Sequence, residues 1–143
     1  MKKTNVLAVL VAGTGAIFMG IVPSAAAVPD LASFVGEWQG HERNLVILQT
    51  GSGHVTYANL MACPSCSEAE APEATVDFTL TSVSNDVANG RVDASSDEKN
   101  AAVGSDVTAR LAAGSPSGQV LQVSMGRMSQ FFCNKTSVGQ CGA

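Results

Sequence analysis

Short runs of alternating apolar and polar residues, separated by turn-forming residues, constrain this chain more than any other feature. Side chains of a strand point to opposite faces in turn, so alternation marks a half-buried strand, whereas a helix needs an apolar repeat near 3.6 residues. Nowhere beyond residue 28 is there a sustained helical repeat. Residues 75–83 alternate most cleanly and direct Val76, Phe78 and Leu80 to one side. Further runs lie at 87–94, at Val107, Ala109 and Leu111, and at Leu121, Val123 and Met125, and a last apolar patch at 128–132 leads into the Cys-containing tail. Asn89-Gly90 marks a turn or bulge inside one of them. Ser84-Asn85-Asp86 and Gly114-Ser115-Pro116-Ser117-Gly118 are turn signals, and 95–105 is polar and of mobile character.

The first hairpin sets an expected register. Residues 34–49 read as one strand, Thr50-Gly51-Ser52-Gly53 as a four-residue turn, and 54–62 as the partner strand. Gln49 then faces His54, Leu48 faces Val55, Val46 faces Tyr57 and Glu42 faces Met61. The core face so defined holds Trp38, Val46, Leu48, Val55, Tyr57 and Met61. The opposite face carries His41, Arg43, Leu45, Ile47, Thr56, Ala58 and Leu60, and its apolar half implies partial cover by a strand or a partner. Residues 63–74, with Pro64 and Pro72, form a loop. Six or seven strands joined mostly in sequence predict an all-β domain, a small antiparallel β-barrel or a two-sheet sandwich. The barrel is preferred because closure removes exposed edges.

The first 27 residues read as an export signal and precede this domain as an apolar helix. Lys2 and Lys3 lead into the uncharged run 6–22, and Pro23-Ser24-Ala25-Ala26-Ala27 ends in the small residues that signal peptidase cuts. Cleavage after Ala27 gives a secreted or extracytoplasmic product beginning at Val28, a single disulfide-containing domain over 28–143. The alternative is an uncleaved anchor, since the apolar run approaches the ~20 residues that span a bilayer. Cleavage leaves 116 of the 143 residues and removes two of the eight basic side chains, so six face twelve acidic ones. Such a chain is a poor nucleic-acid binder, because that affinity rests on basic groups displacing phosphate counterions. It is likewise a poor match to an anionic membrane surface. A soluble monomer is expected.

Four cysteines in an exported chain predict disulfides. Of the three connectivities, the local one is preferred: Cys63 with Cys66 and Cys133 with Cys141. Cys63-Pro64-Ser65-Cys66 also has the spacing of a redox pair, with Cys63 attacking and Cys66 resolving. No βαβ unit precedes it, and only 67–71 could turn helically before Pro72. Cys133 and Cys141 do not form a second zinc knuckle, so no metal is expected. The hairpin register puts His41 and His54 roughly 26 Å apart at about 3.3 Å per residue, so they share no ion. His41, Glu42 and Arg43 form a candidate polar surface cluster. Trp38, Tyr57, Met61 and Phe78 are the candidate core or ligand-facing residues. No Gly-x-Ser-x-Gly elbow is present, and no catalytic residue is assigned.

The segment Phe34-Val35-Gly36-Glu37-Trp38-Gln39-Gly40-His41-Glu42-Arg43, with the closing Cys141-Gly142-Ala143, resembles small uncharacterised exported proteins of actinobacteria, mycobacteria included. Gly36-x-Trp38 is similar to the entry strand of lipocalin-type barrels, where the resemblance implies a Trp closing one barrel end. A full eight-stranded cup is more than 116 residues are expected to supply. A haem-binding barrel with a similar opening needs a late proximal histidine, and none follows His54, so no cofactor is expected. The expected function is non-catalytic binding of an extracellular protein or a small apolar ligand, with loops 63–74 and 95–105 as contact surfaces. A thiol-disulfide oxidoreductase and an inhibitor of a secreted enzyme are the alternatives.

Overall fold

The computed structural model describes residues 30–112, 119–134 and 141. The export segment and the turn at 114–118 lie outside the described residues. Eight antiparallel strands close into one barrel: β1 Gly36–Gly40, β2 Arg43–Ile47, β3 Ser52–Ala58, β4 Glu73–Ser84, β5 Val87–Ser95, β6 Asp106–Ala112, β7 Val120–Met125 and β8 Met128–Asn134. Each strand pairs with its neighbours in sequence, and β8 closes on β1 through Trp38 opposite Asn134 and Gln39 opposite Cys133. The all-β expectation and the preference for a barrel hold, but the expected six or seven strands are too few. Two-residue turns between β1 and β2, between β4 and β5 and between β7 and β8 spare residues for the wall of a short chain.

The missing strand is hidden in residues 34–49. That run breaks at His41 and Glu42, where Glu42 adopts φ 51° and the chain reverses between Gly40 and Arg43. The next turn lies at 48–51, with Gly51 at φ 90° and Leu48 N–H donating to the Ser52 carbonyl at 2.8 Å. Ile47 therefore faces Gly53, Val46 faces His54 and Leu45 faces Val55. This register is three residues away from the expected one, and an odd slip turns the side chains of β2 to the other face relative to β3. Leu45 and Ile47 are buried, whereas Val46 and Leu48 are 38% and 54% exposed. Met61 lies beyond β3 in a turn and is 71% exposed, so it too leaves the expected core. Trp38, Val55, Tyr57 and Phe78 are buried as expected.

Gly53 explains the misplaced turn. It sits inside β3, facing inward opposite Phe78, and any Cβ there would strike the Phe78 ring. The glycine makes room for an aromatic ring rather than for a positive φ. Val76, Phe78 and Leu80 face inward from β4, and Val107, Ala109, Leu121, Val123, Met125 and Phe132 complete one apolar cluster. Two register irregularities between β4 and β5, one beside Gly90, bend the longest strand pair around that cluster.

The two barrel ends differ. One is sealed by a 3₁₀ turn at Leu31–Ser33 followed by Phe34, both Leu31 and Phe34 being buried. The Trp38 indole N–H donates to the Phe34 carbonyl at 2.9 Å, fixing the seal to the wall. The other end, the mouth, collects the β1–β2 turn, the β3–β4 loop 59–72, the β5–β6 loop 96–105 and the β7–β8 turn. Both disulfides are local. Cys63–Cys66 lies in the β3–β4 loop, and Cys133–Cys141 joins β8, at the closing seam, to the chain beyond it. Among the described residues no helix is long and apolar enough to cross a membrane.

Candidate functional site at the barrel mouth

Loop 96–105 lies across part of the mouth as a fixed strap, contrary to the mobile character expected of it. Asp97 is 7% exposed and Ala101 is fully buried. The Tyr57 hydroxyl donates to Asp97 Oδ2 at 2.7 Å, and Asn100 Nδ2 donates to the same oxygen at 2.9 Å. Arg127 N–H donates to the Asn100 carbonyl at 2.8 Å, which ties the strap to the β7–β8 turn. Burial, followed by the hydrogen bond to Asp97 and its negative charge, pushes the Tyr57 pKa well above that of an ordinary phenol.

The uncovered part of the mouth is an open cleft of about 600 Å³, lined among others by His41, Glu42, Arg43, Tyr57, Glu68 and Glu73. Beside it a smaller, half-open pocket of about 180 Å³ shares His41, Glu42, Arg43, Tyr57, Ala58 and Glu68 with the cleft and adds Leu60 and Gln130. Arg43, Tyr57 and Gln130 belong to the inward face: Arg43 alternates with Leu45 on β2, Tyr57 with Val55 on β3, and Gln130 with Phe132 on β8. Polar residues thus replace the apolar core over its last layer.

Arg43 is held in an unusual way. Its stem crosses Gly40, where a Cβ would come within 2.5 Å of Nε, and its guanidinium lies 5.9 Å from the centre of the Phe132 ring. It makes no ion pair among the described residues. Its Nε is buried with no hydrogen-bond partner, and so is Gln130 Oε1. A buried donor and a buried acceptor, both without partners, thus belong to two residues that line one small cavity. Leaving such groups unsatisfied costs free energy, and their presence in a folded protein calls for a cause.

Glu68 reaches the rim from the β3–β4 loop, which is shaped by its own sequence. The Cys63–Cys66 bridge closes a tight turn, and Asn59 N–H donates to the Pro72 carbonyl at the base of the loop. Glu70 then folds back on Ser67 as one half of a capping box: its Oε2 accepts from the Ser67 hydroxyl at 2.7 Å and from the Ser67 backbone N–H at 3.1 Å, while the Glu70 N–H donates to the Ser67 carbonyl. Those bonds hold the Glu70 carboxyl below its usual pKa. The single turn they stabilise places Glu68 Oε2 2.8 Å from His41 Nε2. No helix begins at Cys63, so neither thiol sits at a helix N-terminus.

His41, Glu42 and Glu68 bring one potential ligand atom each within 4.8 Å of one another. No further His, Cys, Asp or Glu joins them among the described residues, and Arg43 in the same cleft works against a cation. The two histidines stay apart, as expected, although by a shorter path than the misplaced register implied. His54 sits on the outer wall against Asp77, far from the β1–β2 turn.

Of the residues singled out by sequence, the structure gathers His41, Glu42, Arg43 and Tyr57 at the mouth. Met61 lines an adjoining groove with Tyr57 and Asp97, while Trp38 and Phe78 are packed in the core. Gln130, Glu68 and Asp97 were not foreseen. Gln130 carried a detectable signal, being the one long polar residue two positions before a buried Phe on an alternating strand. Comparison with protein-family models, curated proteins and solved structures finds no match. The fold and site therefore define the chain only as a closed eight-stranded antiparallel barrel with two local disulfides and one polar mouth.

Proposed function

We propose that the protein is an exported, non-catalytic binding protein that takes a small polar ligand at the barrel mouth. The observation that carries this reading is the polar mouth itself, where Arg43, Tyr57 and Gln130 replace the apolar core and Glu42, Glu68 and Glu73 line the cleft above it. Two further features support it. The interior below is occupied by one apolar cluster that includes Trp38, Phe78 and Phe132, which leaves the expected apolar ligand without evident room. The strap at 96–105 and the disulfide-braced loop at 59–72 give the mouth rigid walls, and a preformed site lowers the ordering cost of binding. Two disulfides fit an extracytoplasmic location, in line with the export segment read in the sequence.

Native mass spectrometry of protein isolated from its host's culture filtrate tests this reading, with Ala58→Trp as a variant that fills the mouth. A small molecule retained by the native protein and absent from a folded Ala58→Trp variant is the expected result. Two results would overturn the reading: no molecule retained and no shift of Tyr57 or Gln130 resonances on adding filtrate extract, or a molecule retained equally by both proteins.

A further inference from the structure

A second surface lies on the outer wall, where β2 and β3 meet at the sealed end of the barrel, away from the mouth. We propose that it docks a cationic, aliphatic-bearing segment of a protein partner, with Val46 and Leu48 as its apolar floor and Asp77 and Asp93 as its carboxylates. The β2–β3 hairpin carries the first observation. Its register turns Leu45 and Ile47 inward and leaves Val46 and Leu48 outside, 38% and 54% exposed. Leu48 opens the turn at 48–51, a place that Asp, Asn and Ser favour. The apolar cluster inside the barrel contains neither side chain. Two neighbouring aliphatic groups therefore face solvent where folding gives them no cover.

The second observation is the chemistry around them. Val46 and Leu48 line an open groove of about 300 Å³ together with His54, Asp77 and Asp93, and neither a Lys nor an Arg is among the described residues that line it. Both carboxylates are held in place. His54 Nδ1 meets Asp77 Oδ1, and the Thr79 hydroxyl donates to Asp93 Oδ2 at 2.6 Å. Asp77 is nonetheless half exposed, so it can still meet a partner. Glu37, exposed on β1 opposite Val46, extends the negative side of the wall. A cationic group brought to this face finds positioned carboxylates, and an aliphatic group beside it takes Val46 and Leu48 out of water.

Charge decides among the occupants. A second copy docked through the same patch would set Asp77 and Asp93 against their own counterparts, and like charges facing across an interface are costly. A nucleic acid or an anionic membrane would meet the same carboxylates with phosphates. The barrel is closed, so no strand edge is open to an added strand and recognition runs through side chains. A segment whose lysines or arginines flank an aliphatic side chain matches both the carboxylates and the apolar floor. The groove lies open on the wall, which lets such a chain continue beyond it at either end.

The test is an NMR titration of the secreted protein with a blocked pentapeptide, acetyl-Lys-Leu-Lys-Leu-Lys-amide. Saturable shifts of the Val46 and Leu48 methyls and of the His54 ring are expected. Peptides with serine in place of leucine, or glutamate in place of lysine, should bind about tenfold more weakly or worse. Leu48→Ser, and the double variant Asp77→Asn, Asp93→Asn, should each weaken binding by about tenfold, whereas Asp86→Asn in the β4–β5 turn should leave it unchanged. Circular dichroism establishes folding, and if the double variant does not fold, Asp93→Asn alone replaces it, with an expected loss of about threefold. The proposal is overturned if no saturable binding occurs up to millimolar peptide, if the serine peptide binds as well as its parent, if the folded variants bind normally, or if the shifts map to the mouth. Shifts of Leu48 that follow protein concentration with no peptide present would assign the face to a second copy and overturn it as well. The mouth ligand is read separately, by the small molecule retained in native mass spectrometry, so either result can fail without the other.

Discussion

The hydroxyl of Tyr57, on the inward face of β3, donates at 2.7 Å to Asp97, the buried carboxylate of the strap forty residues further along the chain. This bond joins the wall of the barrel to the loop that half covers its mouth. Among the described residues the buried carboxylate has hydrogen-bond donors, the Tyr57 hydroxyl and the Asn100 amide, and no ion pair, while the Asp97 N–H donates to the Ser95 hydroxyl.

Tyr57 is the only tyrosine, so the absorbance of tyrosinate reports on it alone. An unfolded tyrosine ionises near pH ~10. In the folded protein burial and then Asp97 raise that value, so the folded state holds its phenolic proton longer. The resulting stability is fully present below pH ~10 and is lost as pH rises through the folded pKa. Spectroscopic titration of the folded protein should show ionisation displaced to higher pH than in denaturant. Tyr57→Phe should lose this alkaline component, and at neutral pH should cost about 1.5–3 kcal/mol by removing a hydrogen bond to a charged group.

The register can be tested by a pair of adjacent substitutions. Leu45 is buried and Val46 is 38% exposed, the reverse of what a four-residue turn at 50–53 implies. Leu45→Ala should therefore lower the unfolding free energy by about 2–5 kcal/mol, while Val46→Thr stays within about 0.5 kcal/mol. Urea denaturation of the two variants measures the difference directly.

Local disulfides make a specific prediction about reduction. Closing a four-residue loop stabilises by about 2 kcal/mol on chain-entropy grounds, and a nine-residue loop by about 2.6 kcal/mol. The double variant Cys63→Ser, Cys66→Ser should remain folded, with its unfolding free energy from urea denaturation lowered by no more than about 2 kcal/mol. Its cost should fall on the mouth: the His41 to Glu68 contact should loosen, visible as a change in the His41 ring resonances.

Gly53→Ala should destabilise the barrel although glycine is a poor strand residue. The added methyl meets the Phe78 ring, and overpacking of this kind costs about 1–3 kcal/mol. Gly53→Ala combined with Phe78→Leu should recover part of the loss, which thermal unfolding of the two variants can measure.

Much of the wall was legible because alternation is a local property. The runs holding Val76, Phe78 and Leu80, and Leu121, Val123 and Met125, turn inward as their patterns say. The first run misled because Leu45, Val46, Ile47 and Leu48 are four consecutive apolar residues and do not declare a face. Its glycines added to the ambiguity, since Gly53 looks like a turn residue until Phe78 is placed beside it. The mouth was only half legible. His41, Glu42 and Arg43 stand together in sequence, but Glu68, Asp97 and Gln130 join them only when four separate connections converge at one end of the barrel.

The sequence by itself determined that this chain is built of strands and where most of them run, because alternation depends on residues near one another along the chain; local disulfides were its preference among three connectivities, and the structure made the choice. Only the tertiary structure decided the number of strands, the face each presents in the first hairpin, and which polar groups are left without partners. Closure is the physical reason. Bending eight strands into one ring forces a single register at every seam, and that register settles which side chains are sealed in the core and which, like Arg43 and Gln130, are held in the mouth.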